Sequence, residues 1–184
     1  PYGEPVQGGA ARRATLVEQV RTEVGADNVL TVDAGDYFQG SMYFNAWQGS
    51  ANVMVLNHIG YDAVTLGNHE FDLGPEALLA ALSGDPVEIA ETSYLPDPME
   101  VPVVSTNVTF TGLSELEDMV LPSLIVEKGG QEFGIVGAIT EMMGTSANPY
   151  DNVSAEAVVT ALQAEVDALV ADGVNKIILI SHLQ

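Results

Sequence analysis

The chain has 184 residues, of which 47% are hydrophobic, and its 26 acidic and 5 basic side chains give a formal net charge of −21. This length and apolar content suffice for one domain with a core, while the shortage of Lys and Arg disfavours binding to nucleic acid polymers or anionic lipid. The absence of cysteine excludes disulfides, thiolate metal sites and a cysteine nucleophile. No apolar run reaches the roughly 18 residues that cross a bilayer, so we expect no membrane insertion.

Short apolar runs alternate along the chain with apolar residues at helical spacing. The first residues, with Gly3 and Pro5, predict a loop, and so does the segment with Gly144 and Pro149. Gly129-Gly130 lies between two apolar runs and predicts a hairpin. Helices are predicted from residue 16 to Gly25, over 51–59, from Pro75 to Gly84, and from a capping Ser154 to about Ala171; strands are predicted at 29–32, 63–66, 101–104, 124–126, 133–138 and 177–180. This alternation predicts an α/β fold, a mainly parallel sheet flanked by helices on both faces.

Polar side chains that can bind metal follow three of the predicted strands. Asp36 follows the first, Asn68 and His69 follow the second, and His182 follows the last. In a parallel sheet the carboxyl ends of the strands share one edge, which is where ligand sites form. Carboxylate, amide oxygen and imidazole are ligands of hard or borderline divalent cations. The sequence therefore predicts a metal site at this edge.

Three segments carry a more specific signal: Gly35-Asp36-Tyr37-Phe38-Gln39-Gly40-Ser41, Gly67-Asn68-His69-Glu70-Phe71-Asp72 and Ser181-His182-Leu183. They resemble successive motifs of the calcineurin-like metallophosphoesterases, most closely the bacterial 5'-nucleotidase branch, and residues 9–12 and 102–108 also resemble that branch. The resemblance covers nearly the whole chain. It implies sheet layers flanked by helices in a metallophosphatase-like four-layer sandwich, with residues 84–100, which contain three prolines, as a surface insertion.

The resemblance also implies roles for individual residues. Asp36 would bridge two divalent metal ions (Zn, Mn, Co or Mg), and Asn68 and His182 would be further ligands of the second ion. Asn68 and His69 would contact the substrate, and His69 would be the catalytic acid, with Asp72 holding its imidazole. Such an ion pair activates a water for in-line attack on phosphorus, and an imidazole can donate a proton near neutral pH.

Two parts of the family pattern are missing from the chain. The family begins with a strand carrying Asp-x-His, which nothing before Gly8 matches, and a Gly-His-x-His or Gly-His-x-Gln segment and a nucleoside-binding domain would follow His182. We therefore expect residues 1–184 to form a catalytic domain without its first strand and its last metal-ligand segment, with a partial or empty metal site and little activity alone. The exposed sheet edge predicts dimerisation or exchange of an element.

By this resemblance the intact parent protein would hydrolyse phosphate monoesters of nucleosides, and also 2',3'-cyclic nucleotides. It would act in the periplasm, in the cell wall or outside the cell. Two alternatives remain open. The same fold can hydrolyse UDP-sugars or sulfur esters, or the chain can be a non-catalytic binding module that has lost the first metal site.

Other residues near these motifs have less specific interpretations. Asp33 is expected to orient the Asp36 loop, Glu70 to have a supporting or structural role, and His58 to pack on its helix. The aromatic residues after the Asp36 loop are expected to be buried against the sheet, with a substrate-facing cluster as the alternative: Tyr43, Phe44 and Trp47.

Overall fold

The computed structural model describes residues 8–141 and 150–183, so the loops predicted around Gly3 and Pro5 and around Gly144 and Pro149 lie outside the described residues. The helices are α1 (Ala10–Val24), α2 (Met42–Trp47), α3 (Ser50–Ile59), α4 (Pro75–Ser83), α5 (Ser114–Met119) and α6 (Val158–Ala171). The strands are β1 (Val32–Asp33), β2 (Ala63–Val64), β3 (Val87–Ile89), β4 (Thr92–Tyr94), β5 (Val103–Val104), β6 (Val108–Phe110), β7 (Val120–Leu121), β8 (Ser123–Lys128), β9 (Gln131–Ile139), β10 (Val153–Ala155) and β11 (Ile177–His182).

Most of the strands belong to two sheets. The first contains four parallel strands in the order β1-β2-β5-β7. The second has the order β11-β9-β8, in which β11 runs parallel to β9, and β8 and β9 form the hairpin predicted at Gly129-Gly130. The α/β class with a parallel sheet and flanking helices is confirmed.

The two sheets pack against each other around a small apolar cluster formed by Ala63, Val104, Ile135 and Ile180. They approach closely at Gly137 of β9, where an added Cβ would lie 2.0 Å from the Val104 carbonyl oxygen. A hydrogen bond of 2.8 Å from the Thr106 backbone N–H to the Gly137 carbonyl joins them there. Because only glycine permits this distance, Gly137 sets the spacing of the two sheets at the carboxyl ends of their strands.

The larger part of the core lies on the other face of the first sheet. Successive side chains of a strand alternate between faces, so Val64 and Val103 point away from the second sheet and join the larger cluster. Helices α3 and α4 cover this face, and they contribute fully buried apolar side chains: Val53, Leu56, Leu78 and Leu82. The helices predicted over 51–59 and from Pro75 to Gly84 are confirmed.

Two predicted helices differ in detail from the structure. The prediction that Ser154 caps the last helix is wrong, because Ser154 lies in β10 and its hydroxyl is 2.6 Å from that of Thr109 on β6. Helix α6 begins at Val158, whose N–H donates to the Glu141 carboxylate at 2.8 Å. Helix α1 forms as predicted but contains no fully buried residue: Leu16, Val20 and Val24 are exposed, while Ala14 and Val17 are partly buried against the larger cluster.

Residues 84–100 contain the antiparallel hairpin of β3 and β4. Its two turn residues, Ala90 and Glu91, have φ values of 50° and 66°, which match the right-handed twist of a two-residue hairpin loop. The hairpin contacts the rest of the chain through Tyr94, whose ring lies 5.2 Å from that of Trp47. That this segment is an insertion stays a prediction.

Candidate metal centre

The loops that follow β1 and β2 are in direct contact. A Cβ added to Gly35 would lie 2.5 Å from the backbone nitrogen of Gly67, and one added to Gly67 would lie 2.1 Å from Oδ1 of Asp36. Side chains at either position would push the loops apart. The glycines of the two motifs therefore place the Asp36 carboxylate against the turn that carries Asn68 and His69.

Asp36 lies at the centre of the contact between these loops. Its φ of 58° is in the left-handed region, which is uncommon for a residue other than glycine. Its carboxylate has a different neighbour on each oxygen: Oδ1 accepts the backbone N–H of His69 at 3.0 Å, and Oδ2 lies 2.9 Å from Nε2 of His182. The structure thus brings together Asp36 and His182, which belong to different sheets.

His182 ends β11 and faces two oxygen atoms. Its Nδ1 donates to the carbonyl of Ala34 at 3.1 Å, while its Nε2 faces the carboxylate of Asp36. A neutral imidazole carries one N–H, so both contacts are satisfied only if the ring is protonated or if a cation lies between Nε2 and the carboxylate. This arrangement fits a metal ligand whose outer nitrogen is fixed by a backbone carbonyl.

Asn68 supplies the third predicted ligand atom. It is 2% exposed, and its Oδ1 has no hydrogen-bond partner among the residues that the structure describes. Burying an amide oxygen without a partner is costly, so such an atom indicates a missing ligand. Over residues 8–141 and 150–183, no three His, Asp or Glu side chains cluster closely enough to hold a metal ion. A cation here would therefore depend on the Asn68 amide oxygen together with Asp36 and His182.

His69 and Asp72 form a pair at the outer side of the site. His69 Nδ1 donates to Asp72 Oδ2 at 2.8 Å, and the His69 side chain is 41% exposed. This hydrogen bond to Asp72 is the main cause that raises the pKa of His69 above its ordinary value. The amide of Gln39 donates to the same Asp72 oxygen. Sequence reasoning missed Gln39, although it lies inside the Asp36 motif.

Glu70 lies behind the site, with 1% of its surface exposed. Its carboxylate accepts the backbone N–H groups of Asp36 at 2.8 Å, Phe38 at 3.0 Å and Gly67 at 2.6 Å. Burial raises the pKa of Glu70 to about 7, and the three backbone donors oppose that rise. The Glu70 side chain thus contacts the backbone of both loops.

The remaining expectations have mixed outcomes. Asp33 accepts the N–H of Gly35 at 3.2 Å, so it contacts the Asp36 loop as expected, while His58 is exposed on α3. Among the aromatic residues, Phe44 is buried and Trp47 is half-buried. The expectation of burial is wrong for Tyr43, which is 66% exposed because it lies on the outer side of the short helix α2.

Comparison with known proteins adds independent information. The family model for calcineurin-like phosphoesterases matches residues 6–183. A 5'-nucleotidase of Rattus norvegicus is 39% identical over 177 residues, which cover 95% of this chain and 28% of that protein. A snake venom 5'-nucleotidase of Naja atra is 37% identical over 182 residues, covering 98% of this chain and 32% of that protein. The crystal structure of a 5'-nucleotidase precursor from Thermus thermophilus matches with a TM-score of 0.82 and 38% identity, over 96% of this chain and 32% of that one. The chain thus spans less than a third of the length of these relatives.

Proposed function

The chain belongs to the calcineurin-like phosphoesterase family, as its motifs predict, and from this premise we propose that the protein hydrolyses phosphate monoesters of nucleosides. The observation that carries the proposal is the contact of 2.9 Å between Asp36 and His182, together with the buried amide oxygen of Asn68, which has no hydrogen-bond partner among the described residues and belongs to the turn packed against the Asp36 loop. A carboxylate, an imidazole and an amide oxygen form a donor set suited to a divalent cation. The names of the relatives support a nucleotide as the substrate.

In this proposal Asp36, Asn68 and His182 hold one divalent cation (Zn, Mn, Co or Mg), and Asp36 is shared with a second. When bound, such ions supply an activated water and neutralise charge on the phosphate. The sharing of Asp36 rests on the family resemblance alone. Local cations also explain how a chain with a net charge of −21 can bind an anionic substrate.

His69 is the proposed acid. Its Nδ1 is held by Asp72, so its Nε2 remains available on the exposed side of the ring to meet the leaving oxygen of the substrate. The hydrogen bond to Asp72 raises the pKa of His69, which keeps a proton on the ring closer to neutral pH. Gln39 supports this arrangement, because it donates to the same oxygen of Asp72 and so limits the rotation of that carboxylate.

Location and association are also proposals. We propose that the protein acts in the periplasm, in the cell wall or outside the cell, and the venom relative supports a place outside the cytosol. None of the helices in the described part of the chain combines the length and apolarity needed to cross a membrane. In the described part of the chain, β1 and β11 are edge strands of their sheets. We propose that a second copy of the protein pairs through such an edge.

The test uses the protein as its gene encodes it, from start codon to stop codon, and measures phosphate released from AMP. We expect activity that excess chelator abolishes and Mn²⁺, Zn²⁺ or Co²⁺ restores. The variant His182→Ala should lose at least about 100-fold in rate through weakened metal binding, and His69→Ala should lose about 100- to 10,000-fold through loss of the acid. The chain has three histidines, and His58 is the one outside the proposed site, exposed on α3. As the control, His58→Ala should keep the wild-type rate.

Full activity in excess chelator, or in His182→Ala, would overturn the proposal. Parallel assays with 2',3'-cyclic AMP, UDP-glucose and a sulfur ester separate the related activities. Cleavage of the cyclic nucleotide in addition to AMP supports the proposal. Cleavage of UDP-glucose or of the sulfur ester without cleavage of AMP contradicts it, and binding of AMP without cleavage of any substrate identifies a binding module instead.

A further inference from the structure

We propose that Glu70 is a positioning residue, whose buried carboxylate fixes the Asp36 loop in the conformation that presents Asp36 to a cation. The inference rests on the metal role proposed for Asp36. It assigns to Glu70 the role of holding Asp36 in the position in which it can bind a cation.

Glu70 connects the two loops of the site through their backbones. Oε2 accepts from the N–H groups of Asp36 and Gly67, at 2.8 Å and 2.6 Å, and Oε1 accepts from Phe38 at 3.0 Å. Asp36 and Phe38 lie in the loop after β1, and Gly67 lies in the loop after β2. One carboxylate therefore holds both loops in a single arrangement.

The Asp36 loop needs such support because its backbone conformation is unfavourable by itself. Asp36 has a φ of 58°, a region that non-glycine residues rarely adopt unless surrounding structure imposes it. The bond from its N–H to Glu70 fixes the peptide that precedes Asp36, and so the direction of its side chain. Without this bond we expect the loop to relax and Oδ2 to move away from His182.

The carboxylate is suited to this task, and its closest analogues are not. Both oxygens of Glu70 accept backbone N–H groups, so the side chain acts on the ligand site through the two loops that it holds. Glutamine keeps the size but would point an N–H₂ group at one or more of these donors, leaving them unpaired. Aspartate keeps both acceptors but is one methylene shorter, so it can satisfy only part of the network.

The experiment compares Glu70→Gln and Glu70→Asp with a matched control, Asp62→Asn. Asp62 is also a mostly buried carboxylate: it accepts the N–H of Thr31 at 2.8 Å and pairs with Lys128 at 2.7 Å. It precedes β2, at the opposite end of the first sheet from the site. The control therefore loses similar interactions without touching the Asp36 loop.

Three quantities are measured on each protein, made as its gene encodes it from start codon to stop codon: the Mn²⁺ dissociation constant by calorimetry, the urea midpoint of unfolding, and the ¹⁵N–¹H shifts of residues 36, 38 and 67 without metal. We expect Glu70→Gln to weaken Mn²⁺ binding by about 10- to 100-fold and to move all three amide signals. Glu70→Asp should recover part of the affinity. Asp62→Asn should lower the urea midpoint but leave affinity and those three signals unchanged.

Unmoved amide signals in Glu70→Gln, or an affinity loss that Asp62→Asn reproduces at equal stability, would overturn the inference. If Glu70→Gln does not fold, Glu70→Asp decides by the same criteria. If the wild-type protein binds no Mn²⁺, the proposed metal role of Asp36 fails, and the inferred role of Glu70 in presenting it to a cation fails with it. If the wild type binds Mn²⁺ but the Glu70 variants bind it equally well, only the role of Glu70 fails.

Discussion

The two halves of the candidate site are built in different ways. Asp36 and Asn68 lie on neighbouring loops of one sheet, where glycine contacts and the Glu70 carboxylate fix their positions. His182 comes from the second sheet, and it meets the first half through the Ala34 carbonyl and the Asp36 carboxylate. The first half is thus determined by local backbone bonds, while the second depends on how closely two sheets pack.

The largest expected effect comes from Gly137→Ala, which acts on the packing of the sheets. The added Cβ would lie 2.0 Å from the Val104 carbonyl and 2.6 Å from Thr65 Oγ1, so the sheets must separate. We expect a loss of about 3 kcal/mol in the free energy of unfolding, at the upper end of overpacking effects, and a displaced His182. Urea denaturation and the His182 imidazole NMR signals measure the two.

Gly134→Ala is the control on the same strand, because its Cβ would meet the flexible end of Leu169 at 3.0 Å instead of backbone. It should cost clearly less stability and leave the His182 signals in place. Equal effects of the two variants would show that the sheet spacing at Gly137 does not position His182.

A smaller effect is expected from Gly67→Ala, which acts on the loop half. The added Cβ would lie 2.1 Å from Asp36 Oδ1 and 2.6 Å from the Asp36 nitrogen, but Asp36 is only half-buried, so its loop can give way more readily than two packed sheets. We expect a loss of about 1–2 kcal/mol and shifted amide signals around Asp36. Hydrogen exchange should show that the amides of β11 stay protected, and loss of their protection would mean that the two halves are not independent.

The sequence predicted which residues would lie at the ends of strands, because short apolar runs that end in Asp36, Asn68 or His182 are visible without a structure. It did not predict that His182 would arrive from a different sheet, since a strand pattern does not specify its neighbours. The contact of Gln39 with Asp72 was missed, and the supporting role expected for Glu70 did not include its three backbone contacts. One of these is made to Asp36 in a left-handed backbone conformation, which glycine normally marks and an aspartate does not reveal.

Two other local sequence patterns, the capping residue Ser154 and the apolar residues of α1, also had outcomes that tertiary structure decided. Ser154 is a good helix-capping residue, but the pairing of β10 with β6 takes it into a strand, and Glu141, distant in sequence, caps the helix instead. The helical spacing of Leu16, Val17, Val20 and Val24 predicted α1 correctly, but Val17 alone of these four is partly buried and the other three are exposed. Periodicity specifies a helix and one apolar face, and the rest of the fold decides what covers that face.

The smallest expected effect concerns Asp33, whose carboxylate accepts the N–H of Gly35 in the loop that carries Asp36. Burial raises the pKa of Asp33 above 3.8, and the Gly35 N–H and Arg13, at 3.6 Å, oppose this only in part. The folded state therefore keeps the proton to a higher pH than the unfolded state. As a result, the contribution of Asp33 to stability falls as the pH rises from 3.8 through the raised pKa. Asp33→Asn removes this dependence, so the difference in unfolding free energy between variant and wild type should shift in favour of the variant as the pH rises from 3.8 through the raised pKa of Asp33. Urea denaturation at several pH values measures this difference. A constant difference would indicate that Arg13 and the Gly35 amide balance the effect of burial, and a shift in favour of the wild type would indicate that they outweigh it.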